Sequence, residues 1–282
     1  MIKTVLLPLA IIVIMFGMGL SLSLNDFKRI FISPKAKVLG LILQLIMLPL
    51  VAFGLVWAFG LSGELAVGLI LISACPGGPT SNIISHLSKG DTALSVSLTA
   101  TSSLITIVTI PLWVEYSLDR FMGSDTGIHL SFQQTVLQLM VVVLIPIALG
   151  MLLKSKFPHL TSRLDKPVKI FSLFFLILIV VVGVIREEDL LNQFKLVGPA
   201  AISLNVLTMA LGFGIAWIAG LETPQRIALS IETGIQNGTL ALAIAMGMLE
   251  STRIGIPAVV YSLLMFVTGF FMVLFFGRKK NL

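Results

Sequence analysis

The chain reads as an all-α polytopic membrane protein: nine transmembrane helices forming an inverted repeat, with the third and eighth helices broken. Three observations predict this. Of 282 residues, 57% are hydrophobic and 11% charged, whereas soluble domains carry about 25% charged residues. Apolar runs of about 20 residues, each long enough to span a bilayer, recur along the whole length. Two of these runs are interrupted by Pro, Gly and polar residues, five helices apart, so the two breaks run through the membrane in opposite directions.

The first helix is read at residues 4–24, and a basic pair, Lys28-Arg29, follows it. Positive charge after an apolar run holds the next residues inside, which argues against a cleaved signal peptide. The second helix is read at 38–60. The third, 65–88, is broken by ACPGGPTSN over residues 74–82. Its second half is expected to start near Thr80 or Ser81, capped by those hydroxyls. The tight turn Lys89-Gly90-Asp91 leads into the fourth helix, 91–115, and should set it beside the break. Ser95 and Thr99, four apart, share one face of that helix. The fifth, sixth and seventh helices are plain apolar spans at 132–153, 168–185 and 197–219. The eighth, 224–249, is broken by IETGIQNGT over residues 231–239, and the ninth occupies 256–277. Segments 116–131, 154–167 and 186–196 are read as loops, and Trp57, Trp113 and Trp217 as interfacial aromatics near helix ends. One transmembrane domain, 1–282, accounts for the chain.

Charge distribution orients it. With the N-terminus outside and loops alternating, 14 of the 19 Lys and Arg residues fall inside and 5 outside. Positive loops stay cytoplasmic, so the expected topology is N-terminus out and C-terminus in, in the plasma (inner) membrane. The net charge of +6 reports this topology, and nucleic acid is not an expected partner.

Glu232 is the acidic side chain that lies deep within an apolar stretch, between Ile227–Leu229 and Leu240–Met248. An ionisable group inside a membrane marks a functional site by default. Carbonyls freed at a broken helix need protein, water or an ion as partner. A carboxylate, hydroxyls, amide oxygens and freed carbonyls together form a hard-oxygen set suited to a hard cation such as sodium. Glu232 alone could instead carry a proton, as in a proton-coupled carrier or a cation/proton antiporter. An enzyme is not expected: no His lies in an apolar run near Ser81 or Ser95 to serve as base. Cys75, the single cysteine, excludes an internal disulfide.

GMGLSL in the first helix, ACPGGPTSN, KGDTALSVSLTAT and IETGIQNGTLA together resemble the bile acid:sodium symporter family, over nearly the whole chain. The resemblance implies alternating access, with a core domain of two crossed broken helices moving against a panel domain. The panel would be helices 4–24, 132–153 and 168–185. The core would be 38–60, 65–88, 91–115, 197–219, 224–249 and 256–277. Carried over position by position, the first of two transported sodium ions would use Ser81, Asn82, Ser95, Thr99 and Glu232. The second would use Gln44, Glu232, Thr233, Ile235 and Gln236, with Thr233 and Ile235 offering backbone carbonyls. Asn82 and Asn237, with Thr80 and Pro79, would face the substrate, a small organic monocarboxylate anion. Two departures from the family pattern bear on that substrate. Met265 and Phe266 stand where some members carry a His-Asn pair, so the last helix is expected to offer no polar anchor there. Pro79 replaces a residue that is often polar.

Overall fold

The computed structural model describes residues 7–28, 34–123, 132–164, 167–168, 170–171 and 190–278. Its described residues are predominantly helical, with no strand. In chain order the elements are α1 (Leu7–Ser21), α2 (Leu24–Lys28), α3 (Pro34–Ile42), α4 (Leu48–Ala58), α5 (Gly63–Ala74), α6 (Pro79–Leu87), α7 (Thr92–Phe121), α8 (Phe132–Leu139), α9 (Ile145–Lys156), α10 (Leu190–Ile218), α11 (Thr223–Gly234), α12 (Gly238–Ala243) and α13 (Thr252–Gly277). Three π-helical turns, Leu43–Met47, Met140–Leu144 and Ile244–Met248, join α3 to α4, α8 to α9, and extend α12.

Among the described residues, five continuous helical stretches are long and apolar enough to cross a membrane. They are Pro34–Ala58, Thr92–Phe121, Phe132–Lys156, Asn192–Ile218 and Thr252–Gly277. They match the second, fourth, fifth, seventh and ninth expected spans. The third and eighth are each two shorter helices separated by a break, as the Pro and Gly content predicts. Most of the expected sixth helix, 168–185, lies outside the described residues. All three expected loops are partly helical: α7 runs on to Phe121, α9 runs on to Lys156 with residues 158–164 helical after it, and α10 begins at Leu190. Charged residues end the apolar layer without ending the helix, because Lys, Arg and Glu are themselves good helix formers.

The π-turn holding Gln44 has a local cause. Pro49 has no N–H to donate to the carbonyl four residues back, that of Leu45. The indole Nε1 of Trp113, on α7, donates to that carbonyl instead, at 3.1 Å. Trp113 is therefore a half-buried structural donor, whereas Trp57 and Trp217 are 67% and 63% exposed.

Helices meet through small residues, as bilayer-embedded helices do. A Cβ on Gly19 of α1 would fall on the Ile147 carbonyl of α9, and one on Gly150 of α9 on the Phe16 carbonyl of α1. Gly68 of α5 likewise faces the Ile254 carbonyl of α13. The core lies where α5, α7, α10, α11 and α13 pack together.

Backbone contact at Gly19 leaves no room for a side chain, while Gly54 has nothing within 4 Å. Gly19→Leu is expected to lower the melting temperature of the detergent-solubilised protein by about 5 °C or more through overpacking. Gly54→Leu should leave it near wild type. Equal melting curves for the two variants would contradict this packing.

Candidate functional site

The site is built where the two breaks cross. α5 ends at Ala74, and Cys75 turns into extended geometry (φ −70°, ψ 152°). α6 restarts at Pro79, with Gly78 as an extended N-cap and no side-chain cap. This corrects the expectation of a start at Thr80 or Ser81 capped by hydroxyls. Proline at the first helical position is pre-set for the helix and needs no N–H partner, so the Ser81 hydroxyl is released for other bonds. On the other side α11 ends at Gly234, Ile235 is extended, and the side chain of Asn237 caps α12 by accepting from Leu240 N at 3.0 Å. Gly77 and Gln236 form an isolated antiparallel bridge, and Asn237 N donates to the Pro76 carbonyl at 2.9 Å. The antiparallel sense is the one that the helix parity predicts.

Glu232 sits beside this bridge, 1% exposed. Its carboxylate accepts from Ser81 Oγ (2.6 Å), Ser95 Oγ (2.6 Å) and Thr99 Oγ1 (2.9 Å). Asn82 Oδ1 lies within 2.9 Å of Ser95 Oγ and 3.3 Å of Thr99 Oγ1, and Ser81 Oγ is 2.8 Å from the Gly78 carbonyl. Each hydroxyl has one hydrogen to donate, yet each faces at least two acceptors. Oxygens outnumber hydrogens, which is an arrangement that a cation completes. Gly77 makes it possible: a Cβ there would stand 2.5 Å from Glu232 Oε2 and 3.3 Å from Thr99 Oγ1.

The turn Lys89-Gly90-Asp91 delivers Ser95 and Thr99 as expected. Asp91 caps α7 through Leu94 N (3.0 Å), and its own N–H donates to the Pro224 carbonyl at the start of α11 (2.8 Å). The turn thus fastens α7 to both broken helices.

Gln44, from the π-turn, and Gln236 meet the same segment. Gln236 Nε2 donates to the carbonyls of Glu232 and Thr233, both at 3.0 Å, and Gln44 Nε2 approaches the Glu232 carbonyl at 3.4 Å. Both Oε1 atoms are buried without a hydrogen-bond partner. Orphaned buried oxygens need an explanation, and an oxygen-seeking cation supplies one. The Thr233 hydroxyl donates within the helix and towards α10, so its contribution to such a site is its carbonyl. Among the described residues there is no group of three or more His, Cys, Asp and Glu side chains.

A cavity of about 530 Å³ opens next to the crossing, with Pro79, Thr80, Gln236, Asn237, Met265 and Phe266 in its wall. Asn82 is not among its lining residues. Its amide oxygen is engaged with Ser95 and Thr99, which places Asn82 with the carboxylate cluster rather than with the cavity. The last helix is also less apolar here than expected. Ser262, one turn before Phe266, lines the cavity, and its buried hydroxyl has no partner.

Sequence reasoning missed Ser262, and also Asn205 and Tyr261, which both bond the Gly234 carbonyl. A lone amide at Asn205 within an apolar run was the available signal.

Residues 8–194 match the sodium bile acid symporter family. A Bacillus subtilis relative named an uncharacterized sodium-dependent transporter is 33% identical over 268 residues, 95% of this chain and 81% of the relative. A probable chloroplastic sodium/metabolite cotransporter of Oryza sativa is 29% identical over 269 residues, 94% of this chain but 62% of its own length. The ileal sodium/bile acid cotransporter of Cricetulus griseus is 29% identical over 243 residues, 86% and 69% of the two chains.

Because Gly77 admits the carboxylate, Gly77→Ala is expected to raise by at least about tenfold the sodium concentration that half-stabilises the protein in a thermal-shift titration. A wild-type sodium titration in that variant would mean that the carboxylate cluster does not hold the ion.

Proposed function

As a member of the sodium bile acid symporter family, the chain is a membrane transporter and not an enzyme, and we propose that it is a sodium-coupled symporter of a small organic monocarboxylate, working by alternating access. The observation that carries the reading is the hydrogen-poor oxygen cluster on Glu232. A proton carrier needs a carboxylate and a path, whereas three hydroxyls and an amide oxygen gathered around one carboxylate suit a desolvated hard cation.

Two sodium sites share Glu232 in this reading. Its carboxylate joins Ser81, Asn82, Ser95 and Thr99 in the first site. Glu232 joins the backbone carbonyls of Thr233 and Ile235 and the side chains of Gln44 and Gln236 in the second. Substrate lies in the adjoining cavity beside Pro79, Thr80 and Asn237, with Asn82 reaching it only by way of the first site. Apolar Met265 and Phe266 favour a small keto-, hydroxy- or pantothenate-like acid over a conjugated bile acid. The core helices carry both sites across, moving against a panel of α1, α8, α9 and the sixth helix.

Coupling follows from charge. One carboxylate, two sodium ions and one monoanion sum to zero, so the loaded site is neutral within a low dielectric. Without sodium an incoming anion meets an uncompensated negative charge. Linkage is reciprocal, so substrate also tightens sodium binding. Each cycle then moves one net positive charge, worth about 2.3 kcal/mol per 100 mV.

Glu232→Gln keeps the size of the side chain and removes its charge. It should abolish sodium-stimulated, voltage-sensitive uptake of small carboxylates in proteoliposomes, while Ser95→Ala and Thr99→Ala mainly lower sodium affinity. Uptake by Glu232→Gln with an unchanged sodium dependence would refute the mechanism. For orientation, a reporter fused after Leu282 should read cytoplasmic and a cysteine at position 124 should label from outside; labelling only after permeabilisation would reverse the topology.

A further inference from the structure

In α11 the Ile231 carbonyl is the last to be satisfied by a helical N–H, and those from Glu232 onward have no helical partners of their own. That of Ile231 accepts from Ile235 N at 2.8 Å. Those of Glu232 and Thr233 accept from Gln44 and Gln236. The carbonyl of Gly234 is held by two residues outside the proposed cation sites. Asn205 Nδ2, on α10, donates to it at 2.6 Å, and Tyr261 Oη, on α13, at 2.9 Å. Both side chains are fully buried.

The Gly234 carbonyl and the Ile235 N–H belong to one peptide group, which is planar and stiff. Asn205 and Tyr261 hold its oxygen, and the Ile231 carbonyl holds its hydrogen. That plane is therefore pinned at both ends immediately before the extended residue Ile235. Since the plane sets the starting direction of the chain, it aims the carbonyl that Ile235 presents and the position of Gln236. The α10–α11 contact is shaped to allow this. A Cβ on Gly234 would fall on the Met209 side chain, and one on Gly212 of α10 on Thr233 Oγ1. The Ser230 and Thr233 hydroxyls donate to the Met209 and Thr208 carbonyls at 2.8 and 3.0 Å.

We infer that Asn205 and Tyr261 are positioning residues of the second sodium site: by clamping the Gly234 carbonyl from two different helices they aim the Ile235 and Gln236 ligands and set the affinity and size selectivity of that site. The inference rests on the proposed sodium symport. Because α10 and α13 both take part, the second site forms only while those helices stay docked on the break. The clamp therefore couples ion affinity to core packing without touching the ion.

Tyr261→Phe removes one donor and keeps the ring, while Asn205→Leu removes the other and keeps the number and branching of the side-chain heavy atoms. The probe is sodium chloride, titrated against choline chloride at constant ionic strength. The readout is thermal stability of the full chain in detergent, and lithium chloride is run in parallel. Losing one hydrogen bond from the clamp should raise the half-stabilising sodium concentration about fivefold for Tyr261→Phe, and at least as much for Asn205→Leu. The preference for sodium over lithium should shrink in both. Melting in choline alone reports general destabilisation, which shifts the baseline and not the half-stabilising concentration. Tyr261→Phe keeps the test decisive if Asn205→Leu does not fold. Wild-type half-stabilising concentrations and an unchanged sodium-to-lithium ratio in Tyr261→Phe would overturn the clamp while leaving symport standing. A wild-type chain that sodium does not stabilise would overturn the symport reading, and the clamp with it.

Discussion

A backbone that leaves helical geometry inside an apolar layer must find partners for every amide and carbonyl it frees, and this chain does so twice. The two breaks satisfy each other first, through the Gly77–Gln236 bridge and the bond from Asn237 N to the Pro76 carbonyl. The crossing of the broken helices is thus a hydrogen-bonding necessity as well as a packing arrangement. What remains unsatisfied decides what the site can bind. On the Glu232 side the remainder is a set of oxygens with too few hydrogens.

Close approach is the second condition, and missing side chains meet it. Gly77 admits the carboxylate, Gly212 admits the Thr233 hydroxyl, Gly234 admits Met209, and Gly238 admits Ser262. Two of these contacts join α11 to α10, one joins the first break to α11, and one joins α12 to α13. Packing is accordingly close around Glu232 and the two breaks. Hydroxyls and amides do the polar work here because they are cheap to bury when satisfied, whereas a second charge would have to be compensated.

Corrections to the sequence reading share one cause. Ser81 looked like a helix cap, but Pro79 starts the helix and Ser81 turns to Glu232. Trp113 looked interfacial, but it fills the bond that Pro49 leaves open. In each case the residue type pointed to a hydrogen-bonding role, and the partner came from another helix.

By itself the sequence determined that this is a membrane protein, where most spans fall, where two of them break, and that Glu232 is an acidic side chain within an apolar run with Ser95 and Thr99 on one face of a neighbouring helix. Those are local properties: run length, Pro and Gly content, one charge among apolar residues, and a spacing of four. The resemblance to a family added a proposed set of sodium ligands in advance of any geometry. Only the tertiary structure decided that Gly77 lies against the carboxylate, that Gln44 and Gln236 keep unpartnered oxygens, and that Asn205 and Tyr261 clamp one carbonyl from two helices. Those facts join residues up to 188 positions apart. They depend on which helix faces meet, and helices that are apolar all round carry no period that shows which face turns inward.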